Sequence, residues 1–346
     1  MKEEVKKFLT LEEMLKVHQN SPKPKFLWSG IKEKSMGLIF GPSKSGKTIF
    51  CENLAMSLAC GLDNFFGNPL DGVARKVLFV GLEEFWENRI ERNKKQLDVL
   101  SDQQKELIVK NYMFQPIDFT SRIIRDEDWE NLEKMIVESQ AEVVFIDSIT
   151  RMNPGKLENS SDAEKVMQRL RDICYRSGVT LICVHHTPKM GDSIINMDSI
   201  KGSSVFAQES DFAIAVTQTP KKTRYVKNVF FRYAADDDEK VKEFVIDAST
   251  WLNFSQDIDE MTLLASTDRR RTDENREKII QYFDQNACTT FKTKELVFHF
   301  SSTLDIKDRQ IKSYLSELVN TEKIESLSKG VYGSVKCVKN GNENGN

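Results

Sequence analysis

Long hydrophobic runs are missing from this sequence: no apolar stretch approaches the roughly 18 residues that a membrane-spanning helix needs. The opening Met1-Lys2-Glu3-Glu4-Val5-Lys6-Lys7 also lacks the apolar core of a signal peptide. Both absences predict a soluble, cytoplasmic protein with no membrane partner. Paired cysteines are missing too. Cys51, Cys60, Cys174, Cys183, Cys288 and Cys337 are scattered without a C-x-x-C spacing, which argues against a zinc site and for small buried hydrophobes in a reducing compartment. Proline and glycine are sparse, at 8 and 16 residues, so collagen-like and low-complexity classes are excluded. No internal repeat is visible. The net charge of −3 is near balance but uneven, because residues 268–339 hold 14 Lys/Arg against 11 Asp/Glu. A mildly basic tail permits nucleic-acid contact without requiring it.

A length of 346 residues predicts roughly two domains of about 150 residues each. Within 1–20, Val5, Phe8, Leu9, Leu11, Leu15 and Val17 recur at near-helical spacing, and Pro22 and Pro24 end that helix. From about 35 to 250, strand-like apolar runs alternate with helical patterns. The runs are Met36–Phe40, Val77–Gly81, Val143–Ile149, Val179–Val184 and Phe212–Val216. Helical periodicity falls on Thr48–Cys60, Phe85–Leu100, Glu127–Ser139 and Ala163–Ser177. The alternation predicts the α/β class, a mostly parallel sheet covered by helices. Arg224–Ala234 and Glu243–Ile246 read as a late antiparallel pair at the sheet edge. The expected division is a helical arm (1–34), the main α/β domain (35–255), a linker (256–272), a small C-terminal domain (273–339) and a frayed tail (340–346).

One motif dominates. Gly41-Pro42-Ser43-Lys44-Ser45-Gly46-Lys47-Thr48 satisfies G-x-x-x-x-G-K-[ST] at every defined position, after an apolar strand and before a helix, and the loop together with Ile49 is the expected nucleotide-binding segment. Glycines let the backbone fold around phosphates with its N–H groups inward, at the positive end of the following helix. Lys47 would reach the β- and γ-phosphates of ATP, and the Thr48 hydroxyl would hold Mg²⁺.

Two further strands end in acids. Val143-Val144-Phe145-Ile146-Asp147 nominates Asp147 as the second metal residue. Val77-Leu78-Phe79-Val80-Gly81-Leu82-Glu83-Glu84 presents adjacent carboxylates, of which one should face inward, since neighbours on a strand point to opposite sides. A carboxylate there suits polarisation of the attacking water. Glu83 is the preferred choice and Glu84 its substitute, since an acid at a helix N-terminus also complements the helix dipole.

An acid after this second strand, rather than directly after the Mg²⁺ aspartate, is the RecA-like arrangement. Phe26-Leu27-Trp28-Ser29-Gly30, Leu82-Glu83-Glu84, Val144-Phe145-Ile146-Asp147-Ser148, Glu158-Asn159-Ser160, the run from Ser177 through His185-His186 to Lys189, and Lys201-Gly202-Ser203-Ser204 follow in an order that resembles the RepA-type plasmid helicase family, within the RecA/DnaB/KaiC class of hexameric ATPases. The resemblance spans about residues 25–250 and implies a RecA-like P-loop NTPase core. It implies that His186, with His185 beside it, senses the γ-phosphate. It also implies that Arg151, Lys156, Lys189 and Lys201 sit on pore loops that meet a single-stranded nucleic-acid backbone; each could equally be a solvated surface cation. DnaB-like enzymes carry Lys-x-Arg on a late strand as a finger for the neighbouring subunit. Here Lys227-Asn228-Val229 lacks that arginine, so Arg232, assisted by Lys227, is the expected replacement in a homo-oligomer, a hexameric ring by analogy.

Outside the resemblance, Asn275–Asn286, Thr293–Phe298 and Asp308–Asn320 read as helices. Lys323–Leu327 and Tyr332–Val335 read as strands around Lys329-Gly330. Helix–helix–helix–hairpin is the pattern of a winged helix-turn-helix. Ile311, Leu315, Leu318 and Val319 would make the buried stripe of its recognition helix, leaving Arg309, Gln310, Lys312 and Ser313 toward duplex DNA, with Lys329 and Lys336 on phosphate. Such domains also bind proteins. The combined expectation is an ATP-hydrolysing motor on DNA, a helicase-type protein of a plasmid or mobile element. The alternative is an ATP-switched DNA-binding regulator without translocation.

Overall fold

The computed structural model describes residues 8–152, 160–187, 193–200, 204–219, 222–235, 240–304 and 306–335, with backbone only at 160, 204 and 266–273. The chain forms two compact units, Met1–Thr262 and Leu263–Asn346.

The first unit is built on a sheet that has nine strands among the described residues. Across it run Leu252–Asp259, Lys240–Ile246, Arg224–Phe231, Phe212–Gln218, Met36–Pro42, Thr180–Thr187, Val143–Asp147, Val77–Gly81 and Tyr112–Phe114. The six from Phe212–Gln218 to Tyr112–Phe114 are parallel, and the first three join antiparallel. The apolar runs mark the centre because every residue of Met36–Pro42, Val77–Gly81 and Val143–Asp147 is buried, as in a sheet covered on both faces. Lys47–Cys60 is apolar nearly all round, and it is enclosed between the sheet and its neighbours. Phe50 meets Trp28, Phe65 and Phe66 edge-on, with ring centroids 5.4, 5.6 and 6.0 Å away. The Trp28 indole N–H donates to the Phe65 carbonyl at 2.7 Å. Ser160–Ser177 packs on the Met36–Pro42 and Thr180–Thr187 strands and on the Asp126–Ser139 helix. Among the described residues no helix is long and apolar enough to cross a membrane.

Several expectations shift. The N-terminal helix is Leu11–Asn20, closed by a Thr10–Glu13 capping box, and none of its residues is buried. The strand expected to reach Ile149 stops at Asp147 and passes into a 3₁₀ turn, Ile149–Arg151. The 256–272 stretch is no irregular connector. It holds the end of the Leu252–Asp259 strand and the start of a Glu260–Gln285 helix. The Asp259 carboxylate accepts from the Thr262 N–H at 2.7 Å and starts that helix, a cap the charge run obscured.

In the second unit a two-residue strand, Phe291–Lys292, precedes the helices Thr293–Leu304 and Asp308–Asn320. The strands Ile324–Ser328 and Val331–Ser334 complete a three-stranded sheet with Val331–Ser334 central. Ile279, Phe283, Phe300, Ile311, Leu315 and Leu318 belong to its own core. Ile311, Leu315 and Leu318 are buried and Val319 is partly buried, while Arg309, Gln310, Lys312 and Ser313 are exposed on the same helix. Lys329 is exposed between the two longer strands, whereas Lys336 and the 340–346 tail lie outside the described residues.

Phe50→Ala should lower stability by about 3–5 kcal/mol, the usual cost of emptying a packed aromatic site. A urea midpoint close to wild type would contradict the aromatic packing described.

Candidate nucleotide-binding site

The sheet register assembles the site. Gly41 pairs with His186, and Gly81 pairs with Asp147, so the phosphate loop and three strand ends meet at one edge. The Leu82 N–H also donates to the Asp147 carbonyl at 2.7 Å. A Cβ on Gly41 would lie 2.1 Å from the Val216 carbonyl oxygen, so no larger residue fits beside that strand. Gly46, at φ 108°, turns the loop into the Lys47–Cys60 helix.

Within the loop, Ser43 and Lys44 are exposed, Ile49 is half-buried, and Pro42 and Ser45 are buried. The Lys47 ammonium donates to the Pro42 carbonyl at 2.8 Å. Burial pushes the Lys47 pKa down, and the nearby Asp147, Cys51 and Glu83 pull it back up. The Thr48 hydroxyl donates to Asp147 Oδ2 at 2.7 Å. Burial raises the Asp147 pKa against that hydrogen bond and the Arg89 charge.

Glu83 and Glu84 diverge. Glu83 Oε1 accepts from Ser148 at 2.5 Å and Thr150 at 2.8 Å, and Oε2 accepts from His186 Nε2 at 3.0 Å. Partial burial works to raise the Glu83 pKa, but the His186, Ser148 and Thr150 hydrogen bonds prevail and hold it at about 2. Glu84 turns to the Arg92 guanidinium at 2.9 and 2.6 Å. Arg92 also grips the fully buried Glu52 with two hydrogen bonds of 2.7 Å. Arg92 holds the Glu84 pKa below the usual range, so Glu84 is a structural ion-pair member.

The residues present fit a hard divalent cation. Asp147 Oδ1 is buried with no hydrogen-bond partner, and the Thr48 hydroxyl lies against the other oxygen. Ligand atoms of Glu83, Asp147 and His186 lie within 4.8 Å of one another. Oxygen donors with a single imidazole would suit a hard divalent cation of the kind a nucleotide brings.

Other expected residues fall elsewhere. His185 is buried and stacks on Phe206 at 4.6 Å, on the opposite side of its strand from His186. Lys227 is buried in an ion pair with Glu260 at 2.5 Å and donates to the Ile195 carbonyl at 2.7 Å, so it is not presented to a neighbouring subunit. Arg232 is not at the phosphate edge. It follows the antiparallel Arg224–Phe231 strand and binds the Gln208 carbonyl at 2.9 Å, with Asp211 at 3.4 Å. Arg151 is half-buried near Glu83's partner Thr150; Lys156, Lys189 and Lys201 lie outside the described residues. Sequence reasoning missed the Ser148 and Thr150 hydroxyls on Glu83, although two hydroxyls spaced i, i+2 just after Asp147 were a readable signal. Arg224 was missed as well. Its side-chain Cδ would be 3.8 Å from a Cβ on Gly46, which places it beside the phosphate loop.

This fold and loop define a P-loop nucleotide-binding domain with a mixed α/β, mostly parallel core. Residues 3–192 match the family model AAA_25, described as an AAA domain. The match covers more than half of the chain, and the protein belongs to that family of P-loop ATPase domains. No curated protein matches the chain.

Because Glu83 drops from an ordinary 4.5 to about 2 on folding, the stability it contributes is complete above pH 4.5 and is lost as pH falls toward 2. The stability difference between wild type and Glu83→Gln should therefore shrink across that window in urea titrations. A difference that stays constant from pH 6 to pH 2 would contradict the hydrogen bonds to Glu83.

Proposed function

We propose that the chain is a RecA-type ATPase motor acting on DNA, a RepA-like, helicase-type protein in replication or maintenance of a plasmid or other mobile element. The observation that carries this reading is Glu83. It lies two residues past the Val77–Gly81 strand, which pairs with the Asp147 strand, and contacts His186 at the end of the strand on the other side of Asp147. An acid on the adjacent strand is the arrangement of ring-forming RecA-like enzymes, and hexameric assembly is part of the proposal.

Loop N–H groups and Lys47 bind and orient the triphosphate. Thr48 and Asp147 would hold Mg²⁺, which when bound would supply neutralisation of charge on the phosphate oxygens. Glu83 accepts a hydrogen bond from the attacking water and fixes its direction. At a pKa of about 2 it is a positioning acceptor, and loosening the His186 contact raises its basicity toward that of an ordinary carboxylate. His186 thus links the γ-phosphate position to the water-directing group.

The second unit supports a DNA role by its topology. Helix, short strand, two helices and a hairpin in that order are the elements of a winged helix, with Arg309, Gln310 and Lys312 exposed on the second helix of the turn. A second reading, an ATP-switched regulator without translocation, is favoured by the engagement of both trans-acting candidates, Lys227 with Glu260 and Arg232 with Asp211. Strand displacement on a forked substrate separates the two.

Lys47→Ala should abolish steady-state Mg-ATP hydrolysis. Glu83→Gln should retain nucleotide binding and slow turnover by about 10²–10⁴; near-normal turnover in either variant removes the site assignment. Wild-type turnover should rise with added single-stranded DNA. Arg309→Gln combined with Lys312→Gln should weaken duplex binding in a gel shift and flatten its salt dependence. An unchanged shift would turn the second unit toward a protein partner.

A further inference from the structure

Beside the water-directing carboxylate, and away from the phosphate loop, lies a groove of about 740 Å³. Phe85, Trp86, Phe114, Ile117, Phe119 and Arg151 line it. Cavities of this size enclose a ligand of nucleotide dimensions. Its rim is unusually apolar for a surface next to a polar site: Phe85 is 80% exposed and Ile117 75%.

Phe85 breaks a local rule in order to be there. It is the N-cap of the Trp86–Asp98 helix, where a serine, threonine or aspartate would satisfy a free N–H, and it makes no side-chain cap hydrogen bond. A residue that forgoes the cap and turns an aromatic face to solvent marks a place where function outweighs local stability. The floor is fixed. Buried Arg89 lies over the Phe79 ring at 4.4 Å and pairs with Glu52 at 3.4 Å, and a Cβ on Gly81 would fall 2.0 Å from its guanidinium.

Charge selects the occupant. The acids of the wall are already engaged, Glu83 by His186, Ser148 and Thr150, and Glu84 by Arg92. Arg151, a half-buried lining residue, has no side-chain hydrogen bond or ion pair among the described residues. Aromatic faces with one uncompensated guanidinium match a flat ring that carries an anion. We propose that this groove seats an unstacked base of single-stranded nucleic acid, with its phosphate on Arg151. Arg151 adjoins Thr150, which donates to Glu83 at 2.8 Å, so an occupied groove bears directly on the carboxylate that directs water. The inference rests on the DNA reading above and names where the strand is sensed.

The test uses the full chain and a labelled oligothymidylate, read by fluorescence anisotropy at low salt. Phe85→Ser supplies the missing cap, so this variant folds at least as well as wild type. It should bind the oligonucleotide roughly tenfold more weakly, the loss expected for one base–aromatic stack. It should also lose stimulation of ATPase by single strands and keep basal turnover. Wild-type affinity in Phe85→Ser, with wild type binding well, overturns the groove assignment and leaves the DNA reading standing. No binding by wild type overturns both. If Phe85→Ser keeps its affinity per subunit but sediments as a smaller species than wild type, the groove seats a second copy of the chain, and the inference is wrong.

Discussion

A carboxylate buried at the end of a buried strand is the constraint from which the site follows. Asp147 is 3% exposed, and an acid so placed loses hydration that only specific partners replace. The Thr48 hydroxyl supplies one hydrogen bond, and the Lys47 ammonium and Arg89 guanidinium supply nearby positive charge. One oxygen is left without a hydrogen bond, a penalty of about 1–3 kcal/mol for a buried polar atom. A hard cation offsets that penalty, so the polypeptide alone leaves the site short of positive charge. The phosphate loop leads into the N-terminus of the Lys47–Cys60 helix and adds no anion of its own. Nucleotide and metal are thus complementary to what the fold leaves unsatisfied.

The adjacent acids just past the Val77–Gly81 strand show how one backbone step separates two environments. Glu83 faces the strand ends that hold Asp147 and His186. Glu84 faces the helices, where it closes a cluster with Arg92, Arg89 and Glu52. Glu52 is fully buried, and breaking a buried pair on one side strands the other charge. The cluster pins the Trp86–Asp98 helix to the helix that begins with Lys47, and so sets the angle at which Glu83 leaves its strand. Positioning here comes from a neighbour in sequence whose own chemistry is only structural.

The centre of the sheet was legible because strands covered on both faces must be continuous apolar runs, and the phosphate loop was legible because its glycines have no substitutes. Legibility ended where tertiary partners decide. Tyr112–Phe114 and Leu252–Asp259 are edge strands; the latter is exposed along most of its length and carries no run to read. Lys227 is expected to assist Arg232 as a finger, yet its partner Glu260 lies 33 residues on, and no local pattern announces a buried lysine. Asp259 begins a helix inside what reads as a charged linker, since capping depends on one side chain rather than on composition. The preference for Glu83 over Glu84 rests in the sequence only on the helix-dipole alternative for Glu84; the hydrogen bonds from Ser148 and Thr150 to Glu83 and from Arg92 to Glu84 are tertiary and separate the two.

Those two hydroxyls tie the site to its surroundings. Ser148 and Thr150 flank Ile149 in the turn that follows Asp147, and both donate to the same Glu83 oxygen. The Arg151 N–H binds the Ser148 carbonyl at 3.1 Å, and the Arg151 carbonyl accepts from the Ile123 N–H at 3.0 Å. These two backbone hydrogen bonds tie the turn to itself and to the segment at Ile123, with Arg151 next to Thr150. A carboxylate held near pKa 2 accepts a proton poorly. Removing one hydroxyl or the imidazole raises its pKa and its strength as a base together. The turn after Asp147 and the end of the His186 strand thus act on one carboxylate from two directions.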